Sequence, residues 1–161
     1  MTAQVGDTIP DIEVRTLGAD GAPAPIRTGD ALGSGKVVLF AVPGAFTPGC
    51  SKVHLPGFVT KAEQLSAKGV DRIACISVND AWVMDAWGTD QGVGEKILML
   101  ADGNGEFAEA MGLVMDGEAI GLGKRSKRYA AVIENGVITH LDVETAPGVS
   151  VSSCDAVLDR L

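Results

Sequence analysis

The stretch KVVLFAVPGAFTPGCSKVHLPGF, Lys36–Phe58, joins an apolar run to a turn and then to a polar helix. After Lys36 the run is apolar and rich in β-branched residues, which suits a strand buried on both faces of a sheet. Pro43, Pro48 and Pro56, with Gly44, Gly49 and Gly57, crowd the residues around Cys50. Beyond Cys50, apolar residues at Val53, Leu55, Phe58, Val59, Ala62 and Leu65 roughly follow helical spacing, and Gly69 supplies a stop. Pro56 lies inside that pattern and predicts a kink near it. A strand, a tight turn and a helix in this order are a building unit of α/β folds.

The same alternation continues outward. DRIACISVN (71–79) reads as a second buried strand, and Asp80 is placed to cap the helix AWVMDAWGTDQG. KILMLAD (96–102) is a third strand and NGEFAEAMGL (104–113) a short helix. RYAAVIE and VITHLDVE flank Asn135-Gly136, a strong hairpin signal. SVSSCDAVLDRL closes the chain as a helix with Ser152 or Ser153 as its cap. GADGAPAP (Gly18–Pro25) reads as a surface loop. Together these predict one α/β domain over residues 1–161, with a central mixed sheet flanked by helices.

Composition narrows the function. The chain has 161 residues, 46% of them apolar and 21% charged, and a formal net charge of −8. This acidic balance disfavours nucleic acid and an anionic membrane surface as partners. No apolar run reaches the roughly 18 residues that cross a bilayer. The first residues lack the basic start and apolar core of a signal peptide, so the cytoplasm is the default location. The three cysteines, Cys50, Cys75 and Cys154, form no C-x-x-C pair. That argues against a dithiol oxidoreductase and a zinc ribbon; any disulfide here is expected to be transient and catalytic. Cys50 and His54 share a helix face, but two ligands are too few for zinc, so His54 reads as a structural or hydrogen-bonding residue. His140 carries no strong signal.

Cys50 has two readings. One is a small apolar residue packed in a tight turn. The other is a nucleophile. A strand-to-helix turn aims unpaired N–H groups and a helix dipole at the sulfur, and both favour the reactive thiolate. On the second reading Gly49 leaves the backbone bare for a substrate, Pro43 and Pro48 fix the approach, and the Thr47 hydroxyl turns toward the sulfur or a ligand. The residues alone leave both readings open.

The segment resembles the active-site segment of the peroxiredoxin-5 subfamily, the type II peroxiredoxins. Pro43, Thr47 and Cys50 match the general Pro-x3-Thr-x2-Cys pattern. Gly44-Ala45-Phe46 and His54-Leu55-Pro56-Gly57-Phe58 match the subfamily flanks. CISVNDAWVMDAWG, ILMLADGNGEFAEAMGL and GKRSKRYAAVIENGVI follow in the family order, so the similarity runs from about Val5 to Leu161. It implies a thioredoxin-like fold and a thiol peroxidase that reduces hydrogen peroxide or an alkyl hydroperoxide through a Cys50 sulfenic acid. It also implies an arginine at the site, and Arg128 stands at the matching place. Read without the resemblance, Arg128 is one of a solvated basic run with Lys124, Arg125 and Lys127, and Pro43 is a strand terminator as readily as a shield for the sulfur.

The resemblance leaves the recycling step open. Cys154 matches the resolving position of one branch, and its place at a helix start would favour its thiolate. In the other branch glutathione or glutaredoxin resolves Cys50 directly; the reductant that recycles the enzyme is glutathione with glutaredoxin, or thioredoxin. Cys75 matches a second cysteine of several members and reads as core. No cofactor and no metal are implied. A homodimer is, with Trp82, Val83, Met84 and Trp87 as candidates for either its surface or the core. Two other functions fit the same residues: a peroxide sensor or redox relay using Cys50, and an inert thioredoxin-like binding module.

Overall fold

The computed structural model describes residues 1–161. Its strands are β1 (Glu13–Leu17), β2 (Pro23–Arg27), β3 (Lys36–Val42), β4 (Arg72–Ser77), β5 (Leu98–Ala101), β6 (Val114–Gly117), β7 (Gly123–Ser126), β8 (Tyr129–Glu134) and β9 (Val137–Val143). The α-helices are α1 (Thr28–Leu32), α2 (Leu55–Thr60), α3 (Ala62–Ala67), α4 (Ala81–Asp90), α5 (Glu106–Met111) and α6 (Cys154–Arg160). A π-helical turn, Cys50–His54, leads into α2.

Seven strands form one mixed sheet in the order β2-β1-β5-β4-β3-β8-β9, and β6 pairs with β7 in a separate ribbon. β3 is parallel to β4 and antiparallel to β8. Its side chains therefore alternate between two buried layers. Val38, Phe40 and Val42 meet α2, α3, α4 and α6, while Val37, Leu39 and Ala41 meet α1 and α5. Both faces are covered, which is why β3 reads as a continuous apolar run. Phe40 stacks on Phe58 at 4.1 Å between centroids, fixing α2 over the strand that ends at the turn.

The outer elements depart from the sequence expectation. Gly18–Pro25 is loop only as far as Ala22; Pro23 and Pro25 lie in β2, paired with Leu17 and Arg15 of β1. β2 is an edge strand, so a proline lacking N–H costs it little. The short hairpin β6–β7 went unmarked because Gly123–Ser126 is polar and offers no apolar alternation. The kink expected at Pro56 is taken up by the π-helical turn. Pro56 then falls in the first turn of α2, where a missing N–H is harmless, and the helix breaks at Lys61. Ser153, not Ser152, caps α6 by accepting from Ala156 N.

Other local signals hold. Asp80 accepts from Val83 N at 2.8 Å and caps α4. Asn135 and Gly136 both have positive φ, 49° and 83°, as a two-residue type I′ hairpin requires. Of the four residues weighed for a dimer surface, Met84 and Trp87 are buried core and only Trp82 is strongly exposed. Met84 and Trp87 sit on the inward side of α4, so they contribute nothing to a surface.

Candidate active site

The turn after β3 is pinned by two side chains, Asn79 and Arg125. Ala45 N donates to Asn79 Oδ1 at 3.0 Å, and Ser77 Oγ donates to the same oxygen. Arg125 Nη1 donates to the Pro43 carbonyl at 3.3 Å. Phe46 takes a positive φ of 63°, a costly conformation for an aromatic residue that persists only where its surroundings impose it. The chain then enters the π-helical turn at Cys50.

Cys50 is fully buried and its thiol is free. Thr47 Oγ1 lies 2.9 Å from the sulfur and 2.7 Å from the Gly44 carbonyl. A hydroxyl has one proton, and the carbonyl accepts only. While Thr47 donates to Gly44, its oxygen is free to accept a hydrogen bond from S–H; rotation turns the same hydroxyl into a donor to the thiolate. Arg128 Nη2 donates to the sulfur at 3.1 Å from the other side. The contact is a charge-assisted one, made to a sulfur that is itself fully buried.

Arg128 reaches this position because Gly49 has no side chain. A Cβ on Gly49 would lie 3.2 Å from Arg128 Nη2. The bare backbone expected to face a substrate faces the guanidinium in the structure. Arg128 Nη1 meets His54 Nδ1 at 2.9 Å, and His54 Nε2 meets the Ser152 carbonyl at 2.8 Å. Burial pushes the His54 imidazole down to about 4, with the Ser152 bond opposing and Arg128 reinforcing that shift. His54 is therefore neutral at pH 7.

The structure thus brings Thr47, Cys50 and Arg128 to one point, with Pro43 and Gly49 in the same turn. The chain matches the Redoxin family over residues 4–158. It is a member of that family. Peroxiredoxin-2E of Arabidopsis thaliana, a chloroplast protein, is 46% identical over 98% of this chain and 68% of its own length. The crystal structure of reduced Prx3 from Vibrio vulnificus in complex with H2O2 is 47% identical, with a TM-score of 0.93 over 99% of this chain and 96% of that one. Peroxiredoxin 5 from Alvinella pompejana is 34% identical, with a TM-score of 0.84 over 99% of both chains. The fold is thioredoxin-like, and this redoxin is a thiol peroxidase of the peroxiredoxin type.

The other two cysteines of this redoxin lie in the same core layer. Burial drives the Cys75 thiol well up, which suits an inert place in β4. Cys154 corrects an expectation. It does start α6, but burial pushes its thiol up to about 11 against a smaller pull from Lys61. Desolvation is the largest cause, and the neighbouring Asp155 carboxylate adds to it. Cys154 packs over Gly57, whose Cβ would sit 3.8 Å from the Cys154 Cβ.

Four further residues of this redoxin support the site without a signal in the sequence: Asn79, Arg125, Glu144 and Ser152. Glu144 accepts from Ser150 N and Oγ and from Ser152 N and Oγ, while its own N–H donates to the Arg128 carbonyl. Burial opposes its charge, but these four bonds prevail and hold the carboxyl down to about 2. No helix is long and apolar enough to cross a membrane.

Proposed function

We propose that Cys50 is the peroxidatic nucleophile. The observation that carries this reading is the sulfur held between Thr47 Oγ1 and Arg128 Nη2. The thiolate attacks the terminal oxygen of ROOH, the O–O bond breaks, and Cys50 becomes a sulfenic acid while RO⁻ takes a proton to leave as ROH. Hydrogen peroxide gives water. Negative charge grows on the leaving oxygen, so fixed donors in a dry site lower the barrier. Arg128 and Thr47 supply those donors. Pro43 and Gly49 shape the place where the peroxide lies, and Pro43 shields the sulfur. The chain needs no metal or organic cofactor for this step.

A thiol then attacks the sulfenic acid, giving a disulfide and water, and a second thiol reduces that disulfide. We assign the first thiol to an external reductant, glutathione with glutaredoxin or thioredoxin. Cys154 takes that role only when its segment is released, because its thiol is buried and poorly ionised. The chain acts as a homodimer, and exposed Phe46 and Trp82 are its candidate contacts. A reducing compartment such as the cytoplasm suits three free cysteines.

Steady-state peroxide turnover with glutaredoxin–glutathione and with thioredoxin, run side by side, tests the reading. Turnover with at least one of them and none in Cys50→Ser is expected. Full peroxide consumption by Cys50→Ser would overturn it.

A further inference from the structure

His54 is 1% exposed and its ring packs, tilted, against the stacked pair Phe40 and Phe58, at 5.0 and 5.7 Å between centroids. Neither neighbour offers it a polar contact. Both of its nitrogens are nevertheless engaged. The Arg128 guanidinium can only donate, so Nδ1 must accept. The Ser152 carbonyl can only accept, so Nε2 must carry the proton. One neutral tautomer satisfies both contacts. The other tautomer, or the imidazolium, would aim an N–H at a cation.

These contacts join two parts of the chain that the sequence keeps 74 and 98 residues from His54. On one side lies the fork of Arg128, whose second amino group holds the Cys50 sulfur. On the other lies Ser152, clasped by Glu144 and two residues before Cys154. Given Cys50 as the peroxide-reducing thiol, we propose that His54 is a positioning residue. Its imidazole, as the Nε2–H tautomer, aims Arg128 at Cys50 through Nδ1 and holds the segment carrying Cys154 through Nε2.

The two nitrogens have separable jobs, and this gives the strut a signature that packing alone lacks. Asparagine places its amide group near Nδ1 and keeps an acceptor for Arg128 but not the bond to Ser152. Glutamine reaches the Nε2 position and keeps the donor to Ser152 but not the acceptor for Arg128. In stopped-flow oxidation, Trp87 serves as reporter, because its Nε1 donates to Ser51 Oγ beside Cys50. His54→Asn should oxidise within about threefold of wild type, whereas His54→Gln should lose about tenfold or more, the size of one charge-assisted hydrogen bond. Alkylation of Cys154 should run the other way, faster in His54→Asn and unchanged in His54→Gln.

Equal losses of oxidation rate in the two variants, or equal alkylation of Cys154, would overturn the strut. A measurement on the unmodified chain stands beside them should a variant fail to fold. Long-range 1H–15N NMR of His54 should show the Nε2–H tautomer from pH 6 to 8 in the reduced protein; the Nδ1–H tautomer would overturn the assignment. Cys50→Ser separates the two readings. If it still consumed peroxide, the peroxidatic role of Cys50 would fall, while the tautomer and the Cys154 alkylation pattern would still report on His54.

Discussion

Gly49 and Arg128 fit together as socket and plug: a Cβ on residue 49 would meet Nη2 at 3.2 Å, and that same nitrogen donates to Cys50 Sγ at 3.1 Å. Gly49 has ordinary right-handed helical dihedrals, φ −65° and ψ −37°, so no backbone demand explains a glycine there. Gly49→Ala should therefore fold as well as wild type, with Tm unchanged or slightly raised by the gain over glycine in helical geometry. Peroxide oxidation of Cys50 should nonetheless slow by about three- to tenfold, because the guanidinium must retreat by a few tenths of an ångström from a charge-assisted contact. Stopped-flow rates and thermal melts on one preparation check this. An unchanged rate would show that Arg128 has slack in its position.

Arg128 should be the most sensitive position after Cys50 itself. Arg128→Gln removes the cation and the fork, and we expect the oxidation rate to fall by about 100-fold or more. Arg128→Lys keeps the charge but cannot donate to Cys50 and His54 at once, so it should recover only part of the loss. Thr47→Val keeps the shape of the side chain and removes the hydroxyl donor. Thr47→Ser keeps the hydroxyl. A loss of about tenfold or more in the first with near-normal rates in the second is the expected pattern in single-turnover kinetics. A valine variant at wild-type rate would leave Thr47 as packing only.

The site was legible in the sequence where its chemistry is local. Pro43, Thr47, Gly49 and Cys50 lie within eight residues of each other on one turn, and β3 and α2 announce themselves by apolar runs. Arg128 was legible only through resemblance, since its neighbours Lys124, Arg125 and Lys127 share its charge and its company. Arg125 looked equally solvated, yet it holds the Pro43 carbonyl. Its role depends on the β6–β7 ribbon turning back toward the turn, which no periodicity in those polar strands declares. Glu144 and Ser152 are likewise ordinary surface residues until β9 and the last loop meet around His54. Burial decides the cases that spacing misjudged. Cys154 at a helix start promised an acidic thiol, and its packing against Gly57 reverses that.

The buried neutral histidine makes stability depend on pH in a defined window. His54 titrates at 6.5 when unfolded and at about 4 when folded, so the unfolded chain binds the extra proton first as pH falls. Its contribution is complete above pH 6.5, declines between 6.5 and 4, and is gone below 4, a loss of about 3 kcal/mol. Arg128 faces the ring and depresses its titration further, while Glu144 and the Ser152 carbonyl oppose it; Phe40 and Phe58 add only burial. Glu144 adds a second, more acidic decline, because its contribution is lost as pH falls from about 4.5 through about 2. Urea midpoints at pH 7, 5.5 and 4 should fall more steeply for wild type than for His54→Asn. Parallel slopes would mean that His54 is protonated in the folded protein.

We expect the Glu144 clasp to set which thiol reaches the sulfenic acid. Its carboxylate holds Ser150 and Ser152, and with them the entry to α6, where Cys154 lies buried over Gly57. After one equivalent of peroxide with glutathione present, mass spectrometry of the wild-type chain should find a Cys50–glutathione mixed disulfide and a free Cys154. Glu144→Ala cuts all four bonds and leaves the Cys50, Thr47 and Arg128 side chains in place. In that variant the segment opens more often, which should raise Cys154 alkylation by about tenfold or more for each opened hydrogen-bond pair lost, and a Cys50–Cys154 disulfide should appear in competition with glutathione. A Cys50–Cys154 bond as the main product in wild type would show that the segment opens on oxidation without help, and would return the resolving role to Cys154.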